Sequence, residues 1–463
     1  MSYPVWEVPN IGNGWVIGLI AILHVFISHF AIGGGAFLAL TEQLAFEKQD
    51  NRIYDYLKRH SKFFLLITTV LGAISGVGIW WSIGLANPNG TQTLIQNFSL
   101  FWAVEWIFFA VELATFLAYY YTFGKMDRKE HLKLGWIYFG VSFFTLFVIN
   151  GILTFMLNSG GWFADGNIYQ AFFNPSFWSA LFLRLFIMFA LAGIYALVTA
   201  AVEKDPEVKH EVLKYSSKWL LPALVAGPVA LTCYLFTLPP ATLDVIMQGI
   251  STMGEGNFSI LSRAIFLAFM FATGLIALAF VGPYLNPKGF NRTFAIMMLA
   301  CGFGFMFTEE WSREMMRKPY VVYNYMYSNG VRKVDVDKLN ANGYIQNHPF
   351  ASAEMAALPA NATAEEKGEI IFRYQCVSCH TAMGNGYRSM HRLLGSRDKD
   401  AIANLLKLMR DNHKVDKDGK GITPYHGFMP PVVGKQNEVD ELRDYLVSIS
   451  PSAEGNTGHM AMK

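Results

Sequence analysis

The sequence predicts an all-α protein: a polytopic membrane helix bundle with its N-terminus outside, followed by a small helical domain. Three observations support this fold class. Hydrophobic residues make up 53% of the 463 residues and charged residues only 16%, the apolar surplus lies before residue 309, and a cysteine and histidine cluster stands near the C-terminus. Because soluble domains carry about a quarter charged residues, most of this chain is expected to lie in a lipid bilayer.

The apolar residues fall into eight runs of roughly 20 residues, the length at which a helix crosses a hydrocarbon core about 30 Å thick. The N-terminus, MSYPVWEVPN, lacks the basic stretch of a signal peptide, and no small-residue cleavage site follows the first run. The first run is therefore expected to remain as a helix. The runs lie at about 14–41, 62–86, 99–123, 133–157, 176–202, 216–238, 260–284 and 292–309, and the last is the shortest.

Lysine and arginine determine the expected orientation of the runs. Basic residues occur in alternate connecting segments, whereas the segments 1–13, 87–98, 158–175 and 239–259 contain none. By the positive-inside rule the basic segments are cytoplasmic, so the N-terminus lies outside. Eight crossings then return the C-terminal part to the outside. The basic loops are explained by topology, and no nucleic-acid-binding patch is predicted.

The cysteine and histidine cluster reads Cys376-Val-Ser-Cys379-His380. C-x-x-C-H is the attachment signature of a c-type haem, with thioether bonds from the two cysteines and an axial imidazole from His380. A redox dithiol, or a zinc half-site without its second pair, would not explain the neighbouring sequence. Upstream, Gly368 precedes Phe372 by four residues on an amphipathic helix, which would allow a close helix crossing.

A methionine downstream can supply the sixth iron ligand. Met429 lies in the segment HGFMPP about 49 residues after His380, and a thioether ligand raises the haem potential. Met383, Met390 and Met409 are alternatives that lack the proline-flanked loop. A final helix at 438–449 is expected to pack on the helix before the haem motif.

With these features residues from about 361 to 450 resemble a class I cytochrome c domain. The family implies one covalent haem c, attached outside the bacterial cytoplasm, which matches the orientation derived from charge. The remaining cysteines, Cys233 and Cys301, lie in apolar runs and are expected to be buried free thiols.

Ionisable side chains within the apolar runs are functional candidates, because a charge in hydrocarbon costs several kcal/mol unless it is paired, solvated or bound. Glu105 and Glu112 lie seven residues apart on one helix face, about 10.5 Å apart along the axis. Such a pair suits a proton path or a haem site, and salt bridges to arginines are the alternative. The other polar candidates are His24, His29, Asn150, Arg184, Arg263, Glu309 and Glu310.

The two membrane histidines are candidate haem ligands. His24 and His29 point about 140° apart on a regular helix, so they are not expected to serve one metal. A hydrogen-bonded core histidine is the alternative for each of them.

Three segments resemble subunit I of the cytochrome bd quinol oxidases. They are HVFISHFAIGGGAFLALTE (24–42), AVEWIFFAVE (103–112) and TEEWSREMMRKPYVVY (308–323). The resemblance covers about residues 10 to 325 and eight of the family's nine helices, with the cytochrome c domain in place of the ninth. It implies that His24 ligates an active-site haem.

The resemblance also implies a glutamate ligand to a second high-spin haem, followed by an arginine. Glu309 and Glu310 compete for the first role, and Arg313 and Arg317 for the second. The glutamates of the third helix are seven residues apart here, whereas the family usually has eight.

The chain departs from the family at the low-spin haem and at the quinol loop. The histidine and methionine ligands of that haem correspond to Arg184 and Ile265. Guanidinium groups of Arg184 and Arg263 can pair with carboxylates but are not axial ligands, so the site is expected to be lost or rebuilt with His29. The loop at 238–259 is short, and its family lysine and glutamate are replaced around Thr242 and Met247.

These features predict a haem-dependent oxidoreductase of the bacterial inner membrane. Residues 1–325 would form the haem-binding bundle, 326–360 a polar linker and 361–463 a periplasmic cytochrome c domain. The first hypothesis is a terminal oxidase that receives electrons at haem c, passes them to a haem b or haem d on His24, and reduces dioxygen near the membrane acids. These acids, which would handle protons, are Glu105, Glu112 and Glu309 or Glu310.

Two other functions fit the same residues. The chain could be a quinol to cytochrome c reductase, or an electron-transfer anchor subunit of a larger respiratory complex. Expected partners are a second membrane subunit or a second copy of the chain, a periplasmic electron carrier, and quinone for the reductase.

Overall fold

The computed structural model describes residues 4–256, 259–385 and 388–451. Among these residues, eight helices are long and apolar enough to cross a membrane. With 74% of the chain helical and almost no strand, the predicted all-α fold class is confirmed. Spans one to eight are Asn13–Glu47, Asn51–Ala86, Ser99–Tyr121, Arg128–Phe155, Phe177–Ala201, Pro206–Phe236, Ile260–Leu285 and Arg292–Arg317.

Spans two and six begin about ten residues before their apolar runs, in amphipathic turns that the hydropathy of the sequence did not include. The side chain of Asp50 accepts hydrogen bonds from the first backbone N–H groups of span two, and Asp205 caps span six in the same way. Such caps satisfy amides that have no partner within the helix. Three ion pairs join these polar ends: Lys48–Glu211, Arg52–Glu207 and Arg59–Glu203.

The contacts divide the chain into two compact units. The membrane unit comprises residues 21–78 and 97–316, and the C-terminal unit comprises residues 1–20, 79–96 and 317–463.

Span one packs closely in the membrane unit because of three consecutive glycines. A Cβ on Gly33 would overlap the carbonyl oxygen of Met188 in span five, and one on Gly34 would overlap the ring of Phe64 in span two. Gly35 is held against Tyr138 of span four in the same way. Small residues allow such close approach between membrane helices, so the GGG segment makes span one a centre of packing.

The remaining helices of the membrane unit connect the spans. The two short helices Trp162–Asp165 and Ile168–Phe172 follow span four, and Pro240–Gly254 lies between spans six and seven. Span two contains the π-helical turn Leu66–Gly72, and span seven ends in the π-helical turn Phe280–Leu285.

The C-terminal unit begins with a small antiparallel hairpin directly after span eight. Its strands are Tyr320–Val322 and Met326–Tyr327, with Tyr320 opposite Tyr327 and Val322 opposite Met326. The helices of the unit are Pro88–Asn97, Val336–Asn342, Pro349–Ala357, Ala364–Gln375, Met390–Leu394, Lys399–Arg410 and Gln436–Ser448, with short 3₁₀ turns at Lys333–Asp335, Ile345–Asn347 and Asp411–His413.

The segment from 326 to 360 is folded against the helices that follow it. Tyr344 packs in a buried cluster with Ile370 and Tyr374. The carboxylate of Glu438 accepts hydrogen bonds from the backbone N–H groups of Tyr344 and Ile345, each at 2.8 Å. The proposed domain boundaries at 325 and 360 remain predictions.

The helices Ala364–Gln375 and Gln436–Ser448 cross at Gly368, as the sequence predicts. A Cβ at Gly368 would overlap the carbonyl oxygen of Glu441. Around this contact Ile371, Phe372 and Leu442 are almost fully buried. The crossing positions the residues that follow the first helix, starting with Cys376.

Candidate haem sites

The C-x-x-C-H motif forms a tight turn at the end of the helix Ala364–Gln375. The backbone N–H groups of Cys379 and His380 both donate to the carbonyl oxygen of Cys376, at 3.0 and 2.9 Å. This turn presents both sulfurs, here as free thiols that stand for the thioether sulfurs, together with the imidazole. All three side chains are partly exposed, as groups that contact a cofactor must be before it binds.

His380 has the geometry of an iron ligand. Its Nδ1 lies 3.1 Å from the carbonyl oxygen of Arg388, to which it donates a hydrogen bond. This bond selects the tautomer with an unprotonated Nε2, the arrangement that orients metal-binding histidines. Burial lowers the pKa of His380 to about 4, so the imidazole is neutral at pH 7 and its lone pair is available.

The four candidate methionines have different surroundings. Met383 is 56% exposed, whereas Met409 is buried within its helix. Met390 packs against the domain core. Met429 is partly exposed in an irregular loop, where its N–H donates to Tyr425 and its carbonyl oxygen accepts from Asn412 at 2.5 Å. The role of Met429 as the distal ligand stays a prediction. Hydrogen bonds hold the loop that carries it at Tyr425 and Asn412.

In the membrane unit, five of the predicted residues line one cavity. Arg313 donates to Glu310 at 2.7 to 2.8 Å, so these two groups form an ion pair. Tyr234 adds a hydroxyl to the cavity wall. The predicted residues are His29, Arg184, Glu309, Glu310 and Arg313.

His29 provides the clearest test of whether the cavity suits a haem. The residue is 2% exposed, and its Nδ1 donates to the carbonyl oxygen of Val25 at 2.8 Å. Its Nε2 is buried and has no hydrogen-bond partner among the described residues. An unpaired buried nitrogen costs free energy, and a metal ion would relieve that cost. An imidazole can bind haem iron, and guanidinium groups can pair with the carboxylates of the haem propionates. The side chains that line the cavity therefore fit a haem.

His24 lies in a different environment, although it is only five residues from His29. Its Nδ1 is 3.2 Å from the hydroxyl of Ser75 in span two, and its ring faces Gly76, where a Cβ would be 3.1 Å away. The glycine leaves room beside an imidazole that is partly exposed. The two histidines therefore face different neighbours.

Glu112 is hydrogen-bonded to neutral side chains of span four. Its carboxylate oxygens lie 3.4 Å from the hydroxyls of Tyr138 and Thr145. Among the described residues, neither Glu105 nor Glu112 forms an ion pair with Arg184 or Arg263. The salt-bridge alternative is therefore not supported.

Two other predicted residues lie apart from the cavity. Arg263 is exposed on the chain's surface. Arg317 is buried in the C-terminal unit and donates to the carbonyl oxygen of Val321 at 3.0 Å. Of the two competing arginines, Arg313 is the one at the cavity. Asn150 has a structural contact, since its amide donates to the carbonyl oxygen of Phe177 at 2.9 Å.

Sequence reasoning missed a buried polar cluster that joins spans one, three and four. Glu42, Tyr119 and His131 are each at most 1% exposed. His131 Nδ1 is 2.6 Å from one carboxylate oxygen of Glu42, and Tyr119 donates to the other at 2.8 Å. His131 Nε2 donates to the carbonyl oxygen of Tyr119 at 2.9 Å. The apolar run began at residue 133, so hydropathy placed His131 outside the membrane.

His60 was missed for the same reason, because its run began at residue 62. It is fully buried and its Nδ1 lies 2.8 Å from the hydroxyl of Thr199. The expectation that Cys233 is buried is wrong, because the residue is exposed on the surface of span six, and Cys301 is partly buried. Membrane spans expose apolar side chains to lipid, so an apolar run does not imply burial within the protein.

Comparisons with known proteins agree with the arrangement described above. The family model for cytochrome c matches residues 365–450. Among solved structures, the chain is similar to that of "The structure of bd oxidase from Geobacillus thermodenitrificans", with a TM-score of 0.55, 15% identity, and coverage of 68% of this chain and 88% of that chain. A comparison with curated proteins returned no match.

The chain is therefore a multi-pass membrane protein with a haem-binding cytochrome c domain, and its membrane part has the fold of that bd oxidase chain. The predicted fusion of a bd-like subunit with a cytochrome c domain is confirmed. The predicted covalent haem c is supported by the family match.

Proposed function

We propose that this protein is a respiratory terminal oxidase that receives electrons at its cytochrome c domain and reduces dioxygen in its membrane bundle. The observation that carries the proposal is the cavity at which His29 presents an unpartnered, buried Nε2 beside two glutamates and two arginines. A bundle with the fold of a solved bd oxidase supports it. When bound, haem would supply one-electron transfer and, at an iron with an open position, reduction of dioxygen.

In the cytochrome c domain, Cys376 and Cys379 would anchor one haem covalently. His380 would hold the iron through Nε2, and the Met429 thioether would be the second protein ligand to the iron. The hydrogen bond from His380 Nδ1 to the carbonyl oxygen of Arg388 keeps the ring oriented.

In the membrane bundle, we assign His24 and His29 as haem ligands on different faces of span one. Glu309 and Glu310 would share the cavity, one as an iron ligand or neighbour and the other in the ion pair with Arg313. Arg184 would neutralise carboxylates of the cofactor or of the protein, because an isolated negative charge at this depth is costly.

The acids of span three would hold protons for the reaction. Glu112 lies within hydrogen-bond reach of the Tyr138 and Thr145 hydroxyls, which can pass a proton by exchanging donor and acceptor roles. Glu105 lies two turns away on the same helix face. Neither is neutralised by an arginine partner in the described chain, which leaves both free to exchange protons.

In the C-terminal unit, one of the cysteines that would bind haem c contacts the segment that follows span eight. Cys379 Sγ lies 3.8 Å from the hydroxyl of Ser328, which donates to the carbonyl oxygen of Pro319 at 2.9 Å. These residues follow directly after Arg317, the last residue of span eight. This contact supports a role for the segment after span eight in electron transfer by the cytochrome c domain.

We further propose that the cytochrome c domain is periplasmic and that the protein lies in the bacterial inner membrane. The segment before span one contacts this domain: the Asn385 N–H donates to the carbonyl oxygen of Asn10 at 3.2 Å, and Arg373 lies 3.9 Å from Glu7. These contacts support a domain on the same side as the N-terminus, which an even number of crossings also predicts. The absence of basic residues from that side's loops supports the outside assignment.

The proposed partners are an external electron carrier and a second membrane subunit or second copy of the chain. Span seven is the least covered of the eight candidate spans in the described chain, with 6% of its apolar window buried. Lipid or another membrane protein would cover its exposed apolar residues, which include Phe269 and Met270.

Spectroscopy of the purified protein tests the proposal. A pyridine haemochromogen assay would count c-type and non-covalent haems, and reduced-minus-oxidised spectra with and without carbon monoxide would detect an iron open to a gas. We expect one haem c and at least one membrane haem that binds carbon monoxide. A protein that contains haem c alone would contradict the oxidase assignment.

Two other results would support a different function for the protein. Membrane haem that binds no gas, and whose reduction responds to a quinone analogue, would identify a quinol to cytochrome c reductase. Oxidase activity that appears only with co-purified subunits would identify an electron-transfer subunit.

A further inference from the structure

The loop that carries Met429 is tied to the rest of the cytochrome c domain by one buried side chain. Asn412 is 3% exposed and lies in the 3₁₀ turn Asp411–His413, directly after the helix Lys399–Arg410. The helix and turn place its carboxamide under the loop that runs to Met429.

All the hydrogen-bonding groups of this carboxamide are used on the loop. Its Nδ2 donates to the carbonyl oxygens of Tyr425 and Met429, at 3.1 and 2.5 Å. Its Oδ1 accepts a hydrogen bond from the hydroxyl of Thr423. In addition, the backbone carbonyl oxygen of Asn412 accepts from His426 Nδ1 at 2.8 Å. One residue therefore binds the loop at four positions between 423 and 429.

Among the described residues, Asn412 makes the hydrogen bonds that tie residues 423–429 to another element. The loop is tied again beyond Met429, where the Val432 N–H donates to the carbonyl oxygen of Met409 and the Val433 N–H donates to Gln375 Oε1. Residues 422 to 435 contain no helix or strand, and the preceding turn is closed by the isolated bridge between Val415 and Gly421. Gly427 has a positive φ of 81°, a conformation that costs glycine little. The carboxamide therefore holds the part of the loop that carries Met429, and the contacts of Val432 and Val433 hold the part that follows it.

We propose that Asn412 is a positioning residue that determines whether Met429 binds the haem iron, and thereby sets the potential of haem c. This inference rests on the proposed role of Met429 as the distal ligand. A purely structural role in folding the domain is the competing explanation. The two explanations differ in what happens to iron ligation once the domain has folded and attached its haem.

The test uses the full-length protein in four variants, with a fifth, Thr423→Val, held for the case in which haem attachment fails. Asn412→Ala removes the carboxamide, and Asn412→Leu fills its volume without donors or acceptors. Met429→Ala removes the ligand itself. The matched control is Asn340→Ala, because Asn340 also accepts a backbone hydrogen bond in this unit, from Gly434 at 3.1 Å, but does not contact residues 423–429.

Three readouts separate ligation from folding. Covalent haem staining reports attachment, the near-infrared charge-transfer band of oxidised haem c reports the iron–thioether bond, and a redox titration gives its midpoint potential. We expect both Asn412 variants to retain covalent haem but to lose the band and lower the potential, with the ligated fraction shifted about tenfold or more, because two partly buried carbonyl acceptors lose their donors. Asn340→Ala is expected to leave the band and potential unchanged.

The outcomes distinguish the inference from the proposal on which it rests. If Met429→Ala retains the band, the ligand assignment is wrong. If Met429→Ala loses the band while both Asn412 variants keep it at the potential of the unmodified protein, the inference about Asn412 is overturned. If the Asn412 variants attach no haem, Thr423→Val decides, since it removes only the hydrogen bond that orients the carboxamide: an unchanged band and potential would reject the positioning role.

Discussion

At the scale of single residues, His29 and His380 share one arrangement in two different parts of the chain. In each, Nδ1 donates to a backbone carbonyl oxygen, at 2.8 Å for His29 and 3.1 Å for His380. This leaves Nε2 as the atom that can bind iron. His24 Nδ1 instead lies 3.2 Å from the hydroxyl oxygen of Ser75, which donates its own hydrogen to the carbonyl oxygen of Leu71 at 2.6 Å. His24 Nδ1 is therefore the donor to Ser75, and its Nε2 carries no hydrogen.

The membrane histidines can be tested by counting haems. His24→Ala is expected to remove one membrane haem and to leave the c-type band, because the iron loses an axial ligand while the cytochrome c domain is unchanged. His29→Ala is expected to remove a different haem, so the double variant should lack both. The pyridine haemochromogen assay measures this, with the exposed His210 in the polar first part of span six replaced by alanine as the control. Survival of every haem would show that the ligand assignments are wrong.

Glu112 provides a second prediction at this scale. Glu112→Gln is expected to keep the haems but to slow proton-coupled turnover by about 10² to 10⁴, the usual contribution of one acid–base group. Oxygen consumption measures the rate, and the haem spectrum verifies assembly. Thr145→Val, which removes one hydrogen bond to Glu112, is the milder comparison and should have a smaller effect. Equal turnover in Glu112→Gln and the unmodified protein would exclude the proton role.

At the scale of elements, single small residues determine how helices approach. The crossing at Gly368 joins two helices whose side chains form the core of the cytochrome c domain. A larger residue there must push the helices apart, since the atom that it would overlap is a backbone carbonyl oxygen.

We expect Gly368→Ala to destabilise the domain by about 1–3 kcal/mol, the usual cost of overpacking a core. The measurements are the thermal unfolding midpoint and the yield of covalent haem c. Glu365→Ala, on the exposed side of the same helix, is the matched control and should behave like the unmodified protein. Wild-type stability in Gly368→Ala would show that the helices do not cross as closely as described.

The Glu42–His131 pair joins helices in the membrane unit. Because both Glu42 and His131 are buried, removing one partner leaves the other unpaired in a medium that solvates it poorly. His131→Ala is expected to lower the free energy of unfolding by about 3–5 kcal/mol, which a thermal melt in detergent would detect as a lower midpoint. Replacement of the exposed His210 should have little effect. A melt unchanged by His131→Ala would show that the pair adds no stability.

At the scale of the whole molecule, the contact of the N-terminal segment with the cytochrome c domain constrains topology. Trp6 is hydrogen-bonded to Leu85 at the end of span two, and Asn10 to Asn385 of the domain. These contacts support the proposal that the N-terminus, the end of span two and the domain share one side of the membrane. The distribution of basic residues predicts that this side is the outside.

Protease accessibility tests this topology. Trypsin added to intact spheroplasts is expected to cleave the exposed lysine-containing loop at 414–420 and release haem-stained fragments, whereas inside-out vesicles should protect it. The basic loop that contains Lys125 and Arg128, expected in the cytoplasm, is the internal control and should show the opposite pattern. Cleavage of the 414–420 loop only from the cytoplasmic side would reverse the assigned orientation.

The sequence by itself determined the spans, their expected orientation and the haem c motif. A span is recognised from the length and composition of one continuous segment. Haem attachment likewise depends on five consecutive residues. The tertiary structure decided which ionisable groups meet, because His29, Arg184 and Glu310 are far apart in sequence and are brought together by packing. Only the structure shows that Arg313, and not Arg317, is among the residues that line the cavity. The contacts of Glu42 with His131, and of Asn412 with the loop of Met429, are likewise tertiary. Such contacts depend on how each helix is rotated and shifted along its axis relative to its neighbours. The sequence of a single helix does not determine these quantities.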